Sequence, residues 1–199
     1  MEIKQFVLGD LRSNCYILIK DRKCVVIDPG YKSPEVITFL QTHQLRPLAI
    51  YITHGHYDHI GGVNALKSLF DCPVYAPKKD AMFFKVGIYN KLGFDVHVDH
   101  WVLSGDTFDW LDQMFTVLET PGHSPGGTVL TTDHMMFSGD TLFYQSIGRT
   151  DLLLSSSQDI YQSIKKLYQA FDDETIVYPG HGRPTSIGHE KTHNPFVRA

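Results

Sequence analysis

Cysteine is scarce in this chain. Cys15, Cys24 and Cys72 are the only three among 199 residues, an odd and widely spaced set. That excludes a disulfide framework and points to a reducing compartment. Long apolar runs are missing too: the longest, such as Leu48–Ile52, fall far short of the ~20 residues that span a bilayer. The start, Met1-Glu2-Ile3-Lys4-Gln5, lacks a basic end followed by an apolar stretch, so no signal peptide is expected. No Asn-x-Ser/Thr sequon occurs. Basic charge is in the minority, with 18 Lys and Arg against 22 Asp and Glu, and it clusters no further than pairs such as Lys78-Lys79 and Lys165-Lys166. A plain nucleic-acid binder is therefore excluded. These absences predict a soluble, cytoplasmic protein with neither membrane nor nucleic acid as partner. Oligomeric state is not readable.

No low-complexity stretch or Pro/Ser-rich linker divides the chain, so residues 1–199 are read as one domain. With 42% hydrophobic and 20% charged residues it is too apolar for disorder. A chain of this length buries roughly 70% of its unfolded surface and needs no covalent staples. Histidine, by contrast, is abundant, at eleven residues.

Short β-rich runs open the chain at Ile3–Leu8, Cys15–Ile19 and Cys24–Ile27, the last closing in the turn signal Asp28-Pro29-Gly30. Ser33-Pro34 starts a helix with Val36, Ile37 and Leu40 at helical spacing. Leu48–Ile52 reads as a buried strand. A helix from about Ile60 to Phe70 follows, with Val63, Leu66, Leu69 and Phe70 on one side, and then a short strand at Val74–Ala76. The second half repeats this plan. Thr107–Leu111, Met114–Leu118, Thr128–Thr131 and Met135–Phe137 read as strands, and Ser157–Phe171 is the clearest helix, capped by Ser156 or Ser157. Thr175–Tyr178 is a final strand, and Phe83–Trp101 reads as a loop or lid. Intermixed strands and helices predict an α/β protein.

Four times an apolar strand gives way to a glycine and then a metal-capable side chain: Gly55-His56, Gly122-His123, Gly139-Asp140 and Gly180-His181. Glycine permits the tight turns by which strand ends converge, and strand ends in α/β sheets are where ligands bind. The densest motif is Thr53-His54-Gly55-His56-Tyr57-Asp58-His59-Ile60-Gly61-Gly62, with three His and one Asp in six residues. In an extended segment His54 and His56 point the same way and can grip one ion. Asp58 and His59, where the chain turns into a helix, can face a second. Imidazole and carboxylate suit Zn, Fe or Mn. Read as a plain polar loop, the motif would crowd titratable groups that desolvate badly without a cation.

The His-x-His-x-Asp-His run, with Thr120–Gly127 around His123, Ser138–Phe143 around Asp140 and Tyr178–Gly182 around His181, resembles the metallo-β-lactamase superfamily. Ser13–Leu18 and Val26–Gly30 match it as well. The resemblance covers nearly the whole chain and implies an αββα sandwich with a metal site along one edge. It implies two divalent metal ions, with zinc favoured and iron or manganese as alternatives. His54, His56 and His123 would hold one, Asp58, His59 and His181 the other, and Asp140 would bridge. His59 and Asp140 depart from what authentic β-lactamases carry there, which argues against antibiotic hydrolysis. His56, Asp140 and Gly148-Arg149-Thr150-Asp151 look most like glyoxalase II. The implied activity is cleavage of thioesters of the hydroxyacyl-thiol type by a metal-bridging hydroxide, with Asp58 orienting the attacking water as a catalytic residue. The chain stops 18 residues after His181, which resembles a short form without the C-terminal helical domain that helps classical glyoxalase II hold glutathione. The carrier thiol therefore stays open between glutathione, another small thiol and coenzyme A.

Arg149 matches the basic position that meets the carrier's carboxylate, with an ion pair to Asp151 as the other reading. Phe143 and Tyr144 are candidates to line the pocket, or else core, and Tyr89 with the Phe83–Phe94 segment is a candidate lid. Asp28 either supports the metal loop or is a turn residue. Cys15 reads as core, Ser155-Ser156-Ser157 as capping, and His43, His97, His100, His134, His189 and His193 as incidental. The competing functions are a persulfide dioxygenase using one iron on two His and one Asp, a lactone or phosphoester hydrolase, and a metal-binding module without catalysis.

Overall fold

The computed structural model describes residues 1–31 and 34–198, so Ser33 at the expected start of the first helix lies outside it. Strands β1 (Glu2–Leu8), β2 (Ser13–Lys20), β3 (Lys23–Ile27), β4 (Arg46–Tyr51), β5 (Val74–Pro77) and β6 (His100–Val102) form one sheet in sequence order. The first three pair antiparallel, and β3 through β6 pair parallel. Strands β7 (Thr107–Trp110), β8 (Gln113–Glu119), β9 (Thr128–Thr131) and β10 (Met135–Gly139) begin the second sheet. After a small hairpin of β11 (Leu142–Phe143) and β12 (Ser146–Ile147), strands β13 (Ile176–Pro179) and β14 (Thr185–Ser186) complete it in the order β14-β13-β10-β9-β8-β7.

Alternation along the strands explains why the sheets stack. On β2, Cys15, Ile17 and Ile19 face helices α1 (Pro34–Thr42) and α3 (Val63–Phe70), packing on Val36, Leu40, Val63 and Leu66. Tyr16 and Leu18 face the other way, onto Phe115, Val117, Leu130 and Phe137 of the second sheet. That sheet's outer side, through Val129, Met136 and Val177, meets helices α4 (Ser157–Ala170) and α5 (Ile187–His193). Three apolar layers between four sets of elements give helix, sheet, sheet, helix, the expected αββα sandwich. Among the described residues, no helix is long and apolar enough to cross a membrane.

Local chemistry accounts for the helix ends. The Ser156 hydroxyl accepts from the Asp159 N–H (3.2 Å) at the start of α4, and Asp159 favours the positive end of the helix dipole. The helix expected from Ile60 to Phe70 is instead two, α2 (Tyr57–Ile60) and α3, interrupted at Gly61-Gly62. The Gly62 N–H turns to Pro29 O (2.8 Å), and Asp58 O takes the Ser13 hydroxyl (2.7 Å). A side chain at Gly62 would meet Pro29 O at 2.7 Å, so the close approach requires glycine. Leu69, expected on the buried stripe, is 54% exposed because the short α3 turns only Val63 and Leu66 fully inward. The Phe83–Trp101 region holds the end of a 3₁₀ helix (Lys78–Phe84) and the start of β6 around its loop. The sequence reading had passed over β6, the β11–β12 hairpin, β14 and α5, all of them short.

Phe115 is fully buried between the sheets. Phe115→Ala is expected to lower stability by about 3–5 kcal/mol, read from the midpoint of urea unfolding. A loss below about 1 kcal/mol would mean that the sheets are not stacked on this residue.

Candidate metal centre

The candidate ligands all gather at one edge of the sandwich, just beyond strand ends. His54 and His56 follow β4, Asp58 and His59 sit on α2, and His123, Asp140 and His181 follow β8, β10 and β13. The second sheet and the first are tied there. Asn14 donates from its backbone N–H to Gly180 O (2.7 Å) and from its side chain to Pro179 O (2.8 Å) and Gly182 O (2.9 Å), which places the His181 loop. Gly139, at φ +48°, would drive a side chain into the Thr53 hydroxyl. At Gly180 a Cβ would land on the Asp140 carboxylate.

The side chains form two groups. In one, a ring nitrogen of each of His54, His56 and His123 lies within 4.8 Å of the others. In the second, a carboxylate oxygen of Asp58 and a ring nitrogen of each of His59 and His181 lie equally close. Asp140 stands between them. Its Oδ2 is 3.3 Å from His123 Nε2, 3.4 Å from His181 Nε2 and 4.0 Å from His54 Nε2, and its Oδ1 is 3.4 Å from His59 Nε2. Asp58 Oδ2 lies 3.3 Å from His181 Nε2 and 3.5 Å from His59 Nε2.

Hydrogen bonds on the far side of the rings decide which nitrogen faces inward. His123 Nδ1 donates to Arg149 O (2.8 Å), and His59 Nδ1 to Asp28 Oδ2 (3.0 Å). The Thr53 hydroxyl gives its hydrogen to Asp28 Oδ2 (2.6 Å), so it accepts from His54 Nδ1 (3.1 Å). In all three, Nε2 is turned to the centre. His56 instead presents Nδ1, 2.8 Å from His123 Nε2.

This donor set fits divalent cations. His54 Nε2 and Asp140 Oδ1 are buried and make no hydrogen bond. Such groups cost free energy unless something satisfies them. The protonation states tell the same story. Burial and the neighbouring rings hold His54 well below the ordinary histidine value and His56 at about 4. Burial opposes charge on His59 and His181 as well. Asp58, Asp140 and Asp28 nevertheless lift His59 to about 9, and Asp140 and Asp58 lift His181 to about 10. Burial likewise pushes both carboxylates up, and His59 and His181 pull Asp58 and Asp140 below their usual range despite it. The carboxylates thus favour positive charge at this spot, which a cation would supply.

Asp28 is both a turn residue (φ +50°) and a support, since its Oδ1 also accepts from the Thr53 N–H (2.8 Å). A second buried acid, Asp80, does the same for the other group. Its Oδ2 accepts from the Gly55 N–H (2.8 Å) and the Ser124 hydroxyl (2.7 Å), and its Oδ1 from the Gly126 N–H (2.6 Å). Burial pushes its pKa up against those three bonds. Asp80 thereby clamps the His54–His56 loop to the loop bearing His123.

A cavity of about 540 Å³ opens above the cluster, with His56, Asp58, His123, Asp140 and His181 at its floor. Phe83, Tyr89 and Phe143 line it, so Phe143 is where the sequence suggested. Tyr144 is not: it is half-buried outside the lining, stacked on His189 at 5.0 Å with the Arg183 guanidinium 3.6 Å from its ring centre. Tyr144 lies beyond β11, in the turn of the hairpin, where its ring packs on His189 of α5. Arg149 lines the cavity, and its guanidinium is bound by Asp151 through two bonds of 2.7 Å, the ion pair that the sequence offered as one reading.

Residues 8–181 match the Metallo-beta-lactamase superfamily. The chain belongs to that superfamily. It is 37% identical to a "Probable metallo-hydrolase" of Streptococcus pyogenes, over 92% of this chain and 84% of the relative. It is 30% identical to the hydroxyacylglutathione hydrolase GloC of Haemophilus influenzae, over 100% and 99%. Among solved structures it is similar to the BLEG-1 B3 metallo-beta-lactamase, with TM-score 0.91 and 37% identity over the whole of both chains. TTHA1623 in a di-iron-bound form gives 0.86 and 34%, covering 98% and 100%. ETHE1 from Myxococcus xanthus gives 0.80 and 28%, covering 98% and 84%.

Within this superfamily member, Asp80 is the residue that reading the sequence missed. It follows Lys78-Lys79 and looks like part of a solvated charge run; only its place just after the buried strand β5 hints otherwise. Asp80→Asn would put an amide against donors. It is expected to cost about 1–3 kcal/mol of stability and roughly 10–100-fold in metal affinity. Urea unfolding and metal content after dialysis measure both, and wild-type values in each would contradict the clamp.

Proposed function

We propose that this chain is a metal-dependent hydrolase of acyl thioesters of the hydroxyacyl-thiol type. The observation that carries this reading is Asp140, whose two oxygens face both histidine groups at the floor of a largely apolar cavity open to solvent. The GloC relative, similar over its full length, supports the thioester, and the di-iron neighbour supports a two-cation site. His54, His56 and His123 would hold one cation and Asp58, His59 and His181 the other, with Asp140 between. Zinc, iron and manganese all accept this donor set. When bound, such ions supply Lewis acidity to a hydrolytic water and to the acyl oxygen.

The chain's own residues do the rest. Asp58 lines the cavity, is held ionised by His59 and His181, and can accept a proton from the water and orient it. Asp28 holds the His59 ring and Asp80 the loops that carry His54, His56 and His123, so that little reorganisation is needed during reaction. Water oxygen bonds to the acyl carbon, the C–S bond breaks and its electron pair leaves on sulfur. The products are a carboxylate, a thiol and one proton. A thiolate leaves readily, so no separate acid is required, and none beyond the ligand set lines the floor.

A second reading keeps one specific support. Two atoms of the cluster that are buried without a hydrogen bond, His54 Nε2 and Asp140 Oδ1, belong to the kind of two-His, one-Asp set that would hold a single iron in a persulfide dioxygenase. Metal counting, thiol release from S-lactoylglutathione, oxygen uptake with glutathione persulfide and nitrocefin hydrolysis separate the readings. Two metals per chain with thiol release is the expected result. One iron with oxygen uptake, or β-lactam cleavage alone, would overturn it.

Asp58→Asn is expected to lower turnover by about 10²–10⁴-fold and to weaken occupancy of the Asp58 side. A variant with full metal content and full rate would remove Asp58 from this role. Chelation is expected to lower the melting temperature, and added zinc to restore it, because a ligand that binds only the folded state stabilises it. An unchanged melting curve after verified metal removal would count against a cation-linked fold.

A further inference from the structure

We propose that the mouth of this cavity selects substrates with a bulky apolar acyl group over the small polar lactoyl group. The inference rests on the thioesterase reading above, keeps its hydrolytic step and moves the preferred acyl group from lactoyl to longer apolar chains.

Three separate segments bring an exposed aliphatic side chain to the same opening. Leu11 comes from the turn after β1, Ile88 from the loop after the 3₁₀ helix, and Leu153 from the turn before α4. They are 51%, 82% and 62% exposed. Single exposed leucines need no explanation, but a contiguous apolar patch on a cavity does.

The backbone holds at least one of them out deliberately. In the turn before α4, the N–H and the hydroxyl of Ser155 both donate to Leu152 O, at 3.2 and 2.6 Å. Leu154 takes φ +67°, a left-handed conformation that L side chains rarely adopt. A turn of this shape ordinarily favours glycine or asparagine. Here it carries leucines and turns Leu153 to the mouth. Below the rim, Phe83, Phe143 and Leu152 continue the apolar wall down to the candidate ligands.

Outside the candidate ligands, the polar side chains of the wall are those of Tyr57, Tyr89, Lys91 and Arg149. The Arg149 charge is engaged by Asp151. Lys91 lies 5.4 Å from the centre of the Tyr57 ring and, among the described residues, makes no ion pair. It offers one place for an anionic end of the carrier. An acyl chain running from the floor to Leu153 and Ile88 would remove apolar surface from water on both sides, whereas a lactoyl group leaves that wall wet. Each buried methylene brings roughly a fourfold gain in affinity.

The test uses the metal-loaded full chain and one carrier throughout. Turnover compares S-hexanoylglutathione with S-acetyl- and S-lactoylglutathione. Binding compares the uncleavable thioethers S-hexylglutathione and S-methylglutathione by calorimetry. The longer chain is expected to gain at least about tenfold in kcat/KM, mainly through KM, and similarly in Kd. Ile88→Ser and Leu153→Ser, separately and together, are expected to shrink both ratios. Both residues are exposed, so the variants should fold, and the unfolding midpoint checks this. A hexyl thioether that binds no tighter than the methyl one overturns the inference, as do ratios unmoved in the variants. So does a dimer in light scattering that the variants dissolve, since the patch would then be covered by a second copy. Active thioester cleavage without chain-length preference sinks the inference alone. Tighter hexyl binding without any thioester cleavage sinks the proposed function and leaves the apolar mouth standing.

Discussion

The structure depends on a crowding that no uncharged solvent would tolerate. Asp140, Asp58 and five imidazoles meet at one buried edge, with ring nitrogens as close as 2.8 Å and two polar atoms without a partner. Bringing these groups together is costly unless positive charge is shared among them. Everything around the edge resists their separation. Two acids outside the cluster, Asp28 and Asp80, hold the backbone and ring N–H groups from behind. Asn14 ties the last ligand loop of the second sheet to the first sheet. The sandwich is therefore a device for making strand ends from two sheets converge, and its stability is spent on holding that convergence.

The same logic divides the site into a rigid floor and an adaptable mouth. Floor residues lie on α2 or directly after strands and are fixed by hydrogen bonds to buried carboxylates and carbonyls. The mouth is built from turns whose aliphatic side chains touch water. Chemistry that superfamily members share resides in the floor. On the proposal above, choice of substrate resides in the mouth, since surface turns accept change without disturbing the core. This is how one chain can be similar at once to proteins named a hydroxyacylglutathione hydrolase, a B3 metallo-beta-lactamase and ETHE1.

Much of the fold was legible because its signals are local. The β-rich runs Cys15–Ile19 and Cys24–Ile27 and the helical stripe Ile160, Ile164, Leu167 are written in short windows. The split between α2 and α3 was not, because the helical pattern runs through Gly61-Gly62 and only contact with Pro29 diverts the Gly62 N–H. The short elements β6, β14 and α5 carry too few residues for a period to appear. Among site residues, the His-x-His-x-Asp-His run and the three strand-end ligands announced themselves by type and spacing. Tyr144 was misplaced because adjacency to Phe143 says nothing about which face a side chain takes.

By itself the sequence determined the chemistry available: which donors exist, that they are imidazoles and carboxylates, and that four of them follow a strand and a glycine. Intermixed strands and helices gave the α/β class, and the resemblance carried by the ligand motifs implied the four layers. Tertiary structure alone decided which donors share a group, which nitrogen each ring turns inward, and that Asp140 faces both groups. It alone made Asp80 a clamp, and it alone gathered Leu11, Ile88 and Leu153 at one opening. The reason is distance along the chain. Pairing within a few residues follows from backbone periodicity, whereas His59 and His181, or Asp80 and Gly126, become neighbours only when two sheets stack and their strand ends meet.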